Sequence, residues 1–316
     1  TGNLAYAACI LVPFLEDSIS SADLAEIGGL VAARDPSILR KPVRLGSGAS
    51  EIRPPRLPTM ILQFHDLVPA PWPDFKGPRV ESRRVHKATQ MRMMQAAGIP
   101  VPRWARLERG TQVDPAEFGE FLIIKPTERE ASLGHGVTLI RTADFERYRN
   151  EHAPTYEGYR RSPPLVQEFI YTGERPLHYR VMSFMGRIVL CFSCENPRMT
   201  PLAAPVTSLS VTEKVISNIT DNKRLLQKDP ELLDLGARAA AVFTDNSVVG
   251  VDIVRSARNG KAYVLEANMG NAWVFSNAVT RTLQAYLGRN NMKKQFGAPG
   301  IIADAIIERA RKELPL

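Results

Sequence analysis

The stretch Val248–Ser276 (VVGVDIVRSARNGKAYVLEANMGNAWVFS) constrains this chain more than any other. Its apolar runs Val248–Val254 and Ala262–Leu265 flank a polar segment containing Asn259-Gly260, which predicts a strand–turn–strand hairpin. Asp252 interrupts the first run, and Glu266 and Asn268 end the second. Carboxylates set in apolar strands need a cation or a hydrogen-bond donor to offset their burial. Turn length decides whether these oxygen donors converge, because side chains alternate faces along a strand. A two-residue Asn259-Gly260 turn pairs Asp252 with Ala267 and points it away from Glu266 and Asn268. A three-residue loop, Arg258-Asn259-Gly260 with Gly260 left-handed, pairs Asp252 with Glu266 and gathers all three on one face. Gathered carboxylates repel unless a proton or a cation lies between them, and oxygen-only donors suit a hard ion such as Mg2+. Left apart, the same residues are solvated charges on an edge hairpin.

A chain of 316 residues can bury a substantial core in one to three domains. With 44% hydrophobic and 23% charged residues its composition is that of a globular protein, and no apolar run approaches a membrane span. Thr1–Phe14 lacks a basic leader and is read as a first strand rather than a signal peptide. Cys9, Cys191 and Cys194 make no disulfide framework, so a reducing compartment, the cytoplasm, is expected. The Cys191-x-x-Cys194 pair lies in the strand-like run Arg187–Cys194 and is expected to pack rather than bind metal. The net charge of +8 suits an acidic ligand such as a nucleotide phosphate or a carboxylate. The basic residues are dispersed and not interleaved with aromatics, so neither nucleic acid nor membrane is expected as a partner; a homo-oligomer is compatible with the composition.

Ala5–Leu15 is strand-like, Ser20–Ala33 has helical periodicity behind a capping serine, and Thr59–Phe64 is a further apolar run. With the proline-dense segment Arg53–Pro78, these predict a small α/β unit over residues 1–80. Glu81–Ala97 reads as a helix stopped by Gly98 and the following IPVP, with Lys87 in its first turns. Gly119–Pro126 (GEFLIIKP) is a strand ending on Lys125, followed by Glu128–Val137 (EREASLGHGV) and a strand at Val137–Ile140. Glycine-rich turns let backbone N–H groups approach phosphates. Here the order is strand–loop–strand, which argues against a Rossmann or Walker site. Leu165–Ile170 (LVQEFI) is a strand, and Tyr179–Met185 with Arg187–Cys194 forms a hairpin about Gly186. Arg180 on that hairpin has the fork that grips phosphate, though a surface arginine is the commoner case. Asn196–Thr220 reads as a loop over a site, Pro230–Phe243 as an amphipathic helix, Asn290–Pro299 as a polar connection, and Ala303–Glu313 as a final helix.

Taken in order, AAGIPVP, IIKP, SLGHGV, VQEFI, the arginine-bearing hairpin and GVDIVR…GKAYVLEAN resemble the ATP-grasp superfamily from about Arg84 to Asn277. Within it they look most like the branch of the ribosomal-protein glutamate ligase and bacterial glutathione synthetases. The resemblance implies an α+β ATP-grasp fold: a small α/β domain over 1–80, a subdomain with a glycine-rich lid over 81–163, and one with a metal-binding hairpin over 164–316. It implies ATP and one or two Mg2+ ions, or Mn2+, as cofactors. Lys87 and Lys125 would contact the α- and β-phosphates, with Ser132, Gly134 and Gly136 in the lid. Glu168, Phe169 and Ile170 would form the adenine hinge and Glu174 would meet the ribose. Asp252, Glu266 and Asn268 would hold the metal, Arg180 would steady the γ-phosphate or acyl phosphate, and Arg255 would assist.

The activity implied is a carboxylate–amine ligase working through an acyl phosphate, on small-molecule substrates or a peptide or protein carboxylate. An ATP-grasp kinase and a non-catalytic nucleotide-binding protein are the alternatives. Met269-Gly270-Asn271-Ala272-Trp273 replaces the Pro-Gly that follows E-x-N in many relatives, which makes Asn271, Trp273 and Ser276 candidates for substrate specificity. Trp273 serves equally well as a packing residue. The five histidines, His65, His86, His135, His152 and His178, are scattered and belong to no catalytic constellation.

Overall fold

Strand β1 (Ala8–Phe14) is apolar throughout and buried along its whole length, as expected for a parallel strand covered on both faces. The computed structural model describes residues 6–45, 56–67, 77–126, 137–156, 163–197, 222–270 and 272–316; the expected lid residues Ser132, Gly134 and Gly136, Asn271, and nearly all of the expected loop over the site lie outside these. Helix α1 (Ser21–Arg34) follows β1, and the Asp23 N–H donates to Ser20 Oγ at 3.2 Å as its cap. With β2 (Ile38–Arg44), β3 (Thr59–Leu62) and β4 (Arg79–Val80), β1 forms a parallel sheet of order β2-β1-β3-β4. The sequence reading missed β2, because ILRKPVR has neither an apolar run nor a clean alternation. It is an edge strand, where Pro42 is tolerated.

Helix α2 (Lys87–Ala96) starts six residues later than expected, since Glu81 is bridged to Asn246 instead. The second sheet, β5-β8-β6-β7, is antiparallel and comprises Trp104–Arg106 (β5), Phe121–Lys125 (β6), Thr138–Arg141 (β7) and Leu165–Glu168 (β8). Helices α3 (Pro115–Phe118) and α4 (Phe145–Tyr156) flank its strands in the chain. Because β8 pairs with both β5 and β6, this sheet spans the expected boundary between 163 and 164.

The central sheet is antiparallel, of order β11-β10-β9-β12-β13. Its strands are β9 (Leu177–Phe184), β10 (Arg187–Glu195), β11 (Lys223–Leu226), β12 (Val248–Arg255) and β13 (Ala262–Asn268). One face packs on α5 (Pro230–Ala241) and α2, through Val181, Val251, Ile253, Val264, Leu235 and Met91. Gly236 permits that approach: a Cβ there would lie 2.5 Å from Val181 Cγ1. Half of the opposite face meets the N-terminal unit, where Phe64 stacks on Phe184 at 5.2 Å and meets Trp273 edge-on at 5.2 Å. The chain closes with α6 (Arg281–Leu287), α7 (Arg289–Lys294) and α8 (Ala298–Glu313), so the expected polar connection carries a helix. Ile302 and Ile306 of α8 share one core with Ile27 and Val31 of α1 and with Met182 and Phe184 of β9. Among the described residues no helix is long and apolar enough to cross a membrane. The other half of that face carries Arg180, Asp252, Glu266 and Asn268.

Candidate active site

The β12–β13 hairpin realises neither expected turn. Ser256 and Lys261 close a four-residue loop, with the Ser256 N–H donating to Lys261 O at 2.9 Å and Gly260 left-handed at φ 72°. That loop sets Arg255 opposite Ala262, Val254 opposite Tyr263 and Ile253 opposite Val264. Strict continuation would place Glu266 on the core face with Val264. Instead Leu265 is an extra residue, and beyond this bulge Asp252 pairs with Glu266 and Gly250 with Asn268. The core positions of β13 accordingly switch from Ala262 and Val264 to Ala267. The bulge turns Glu266 out of the hydrophobic core and onto the face that carries Asp252. The expected pairing is reached by a longer turn and a compensating irregularity.

Neighbouring strands complete a charged cluster. Arg180 of β9 lies in register with Asp252, and its Nε and Nη2 donate to Asp252 Oδ1 and Oδ2, each at 2.6 Å. Burial opposes charge on Arg180, but Asp252 outweighs it and raises the guanidinium's pKa. Asn268 Nδ2 donates to Asp252 Oδ2 at 2.9 Å and to Glu266 Oε1 at 3.3 Å. Lys87 opens α2, where the helix dipole disfavours a cation, and its Nζ lies 3.5 Å from Glu266 Oε2. Burial raises the Glu266 pKa, but Lys87, Lys125 and Arg180 pull it down to about 2, so the carboxylate is ionised. Lys125, the last residue of β6, is 8% exposed; burial and Lys87 push it down to about 8 against the pull of Glu266 and Asp252.

The donor chemistry fits Mg2+. Among the described residues no group of three or more His, Cys, Asp and Glu side chains is arranged to hold a metal. An ion taken by Asp252, Glu266 and Asn268 must therefore complete its shell with water and ligand oxygens, as Mg2+ does beside phosphates.

Other expected residues lie elsewhere. Arg255 is three residues past Asp252 on β12, and its Nη2 donates to Asp229 Oδ2 and Glu231 Oε2, both at 2.9 Å, tying β12 to the start of α5. Trp273 is 2% exposed, and its Nε1 donates to Asp23 Oδ2 and Ser276 Oγ, both at 3.1 Å. Ser276 Oγ also accepts the Ser20 N–H at 2.9 Å, so both residues join the N-terminal unit to the C-terminal segment rather than line the site. Glu168 and Phe169 close the second sheet: their N–H groups donate to Arg103 O at 2.8 Å and Phe121 O at 3.1 Å. Ile170 is buried, and Glu174 is exposed in the bend that follows. Cys191 and Cys194 are buried on opposite faces of β10, as packing residues.

The sequence reading missed His178. Two residues before Arg180 on β9, it shares that strand face by alternation, and it feels the charges of Asp252, Arg180 and Glu266. The expected strand began at Tyr179, whereas β9 begins at Leu177 and so includes it.

No family model matches the sequence, and no curated protein matches it. Solved structures do. The D-cycloserine synthetase DcsG is 14% identical, with a TM-score of 0.54 over 95% of this chain and 99% of that one. The ATP-grasp ligase PsnB, complexed with a phosphomimetic precursor variant, Mg and ADP, is 18% identical, with a TM-score of 0.54 over 98% and 100% of the two chains. The D-alanine–D-alanine ligase from Bacillus anthracis complexed with ATP is 16% identical, with a TM-score of 0.52 over 98% and 99%. Three sheets in this arrangement, matched over nearly the full length of these chains, give the protein the ATP-grasp fold.

Proposed function

We propose that the chain is an ATP- and Mg2+-dependent ligase that joins a carboxylate to an amine through an acyl phosphate. One observation carries this reading: Lys87, Lys125, Arg180, Asp252, Glu266 and Asn268, from five separate elements, converge in one charged cluster. Lys87 and Lys125 hold the α- and β-phosphates, while Glu168–Ile170 and Glu174 border the base and ribose. Asp252, Glu266 and Asn268 would hold Mg2+, which would supply neutralisation of phosphate charge. Arg180, already bidentate to Asp252, is fixed in orientation and presents its remaining N–H edge to the transferring phosphoryl group.

The substrate carboxylate oxygen bonds to the γ-phosphorus as the β–γ bridging bond breaks and ADP leaves. The amine then attacks the acyl carbon and displaces phosphate, losing a proton as the C–N bond forms. The peptide precursor and the D-alanine ligase named among the similar structures support a peptide or a small amino acid as substrate.

An ADP-release screen with Mg2+ and ATP against pools of carboxylic acids and amines tests the proposal. Turnover that needs both an acid and an amine, and that Glu266→Gln abolishes in a folded protein, is the expected result. Full activity in Glu266→Gln refutes the metal assignment. ADP release without an amine, accompanied by a stable phosphorylated acid, makes the protein a phosphotransferase. Nucleotide-dependent stabilisation without ADP release makes it a binding protein.

A further inference from the structure

We propose that Gln90 is a positioning residue for the metal site: its side chain fixes the phase of β13 and so aims Glu266 and Asn268 at the ion. The inference rests on the ligase reading and adds to it a residue that touches neither nucleotide nor metal.

Gln90 sits within α2 and is 6% exposed, on a helix whose Ala88, Met91 and Met94 are buried in the core. An amide in such surroundings is costly unless both of its ends are bonded. Both are. Its Nε2 donates to Val85 O at 2.8 Å, and its Oε1 accepts the Ala267 N–H at 3.0 Å. One partner is an acceptor and the other a donor, so a single orientation of the amide satisfies both. Ala267 is buried and stands between Glu266 and Asn268.

The consequence of that bond follows from the position of β13 as the outermost strand of the central sheet. On a regular edge strand every second residue turns its N–H outward. The Val264 N–H points away from β12 and donates to Pro100 O at 2.8 Å. Regular alternation from there would turn out the N–H groups of Glu266 and Asn268. Instead Ala267 presents its N–H to Gln90, because Leu265 is the extra residue of the bulge. Gln90 Oε1 is thus an acceptor placed for the bulged phase and not for the regular one. Two further backbone ties flank the metal pair. Pro100 O holds the chain before the bulge, and Ser82 Oγ accepts the Gly270 N–H at 3.1 Å after it. Between those ties the bulge has room to migrate, and each step of migration reverses a side chain.

Lys87 and Gln90 are three residues apart on α2 and share a helix face. That face meets Glu266 through Lys87 Nζ at 3.5 Å and Ala267 through Gln90, which sets helix and strand in register with each other. Groups that hold metal ligands in place without touching the ion govern its affinity by about 10- to 100-fold.

The test needs no substrate. Full-length protein saturated with ADP is titrated with MgCl2 and followed by thermal shift, and hydrogen exchange of the Ala267 amide is read by NMR. Gln90→Met keeps the volume and removes the acceptor. Its Mg2+ midpoint should rise about 10- to 100-fold and its Ala267 amide should exchange faster, while stabilisation by ADP alone stays as in wild type. Met94→Ala, a core change on the same helix, should lower Tm without moving the Mg2+ midpoint. In wild type, Mg2+ added to the ADP complex should slow exchange at Ala267, since an ion that needs this phase stabilises it in return. That measurement decides the matter if Gln90→Met does not fold. Three results overturn the proposal and leave the ligase reading intact: an unmoved midpoint in folded Gln90→Met, an equal rise in Met94→Ala, or wild-type exchange at Ala267 indifferent to Mg2+. No response of wild type to ADP and MgCl2 overturns the ligase reading itself, and the proposal with it.

Discussion

Replacing Lys125 with methionine should make the nucleotide-free protein more stable. Lys125 lies at the inner end of β6, 8% exposed, with burial the largest influence on its ammonium. Its fall from an ordinary 10.5 to about 8 corresponds to about 3 kcal/mol spent holding the charge in the folded state. Methionine fills similar space without that charge, but Glu266 then loses one of its cations and keeps Lys87 and Arg180. The net gain should therefore be about 1–3 kcal/mol near neutral pH, or a few degrees in Tm.

The sign follows from proton counting. Between 8 and 10.5 the unfolded chain holds the Lys125 proton that the folded chain has shed, so wild-type stability rises with pH across that window. Below it the penalty is complete. The gap between Lys125→Met and wild type should be widest below 8 and close toward 10.5. Urea denaturation followed by tryptophan fluorescence across this range measures the gap, and thermal shifts with Mg2+ and ATP measure the loss of nucleotide stabilisation that should accompany it. A variant less stable than wild type at neutral pH, or a gap independent of pH, would refute the reasoning.

Two further predictions concern the frame of the site. Glu266, held near 2 by its cations, contributes stability that is complete above its ordinary 4.5 and lost as pH falls toward 2. Wild type should lose about 2–3 kcal/mol across that acid limb, and Glu266→Gln should flatten it in a chemical-denaturation series. Gly236→Ala forces a methyl group to within 2.5 Å of Val181 Cγ1 and should cost about 1–3 kcal/mol in urea unfolding; adding Val181→Ala should recover part of that loss.

Strong local signals carried the elements that the sequence made legible. Apolar runs announced β1, β6 and β12, the last interrupted only by Asp252, and Ser20 marked the start of α1. The charge-bearing strands β2 and β11 had no such signal, since their pairing comes from neighbours distant in sequence. Membership of β8 in the second sheet was illegible for the same reason: only its ladders to β5 and β6 assign it there.

By itself the sequence determined which residues have the chemistry for the site: two lysines, an arginine, two carboxylates and an amide, spaced along an ordered series of strands. Tertiary structure decided which of them meet. Arg180 reaches Asp252 across a strand pair that no local pattern encodes, whereas Arg255, on the same strand as Asp252, is claimed by the first turn of α5. Trp273 is taken by a buried aspartate from the far end of the chain. Glu266 faces the site because one extra residue, Leu265, breaks the alternation of β13. Side-chain direction in a sheet reverses with each residue, so a single irregularity invisible in composition and periodicity decides whether that carboxylate sits in the core or beside its partners.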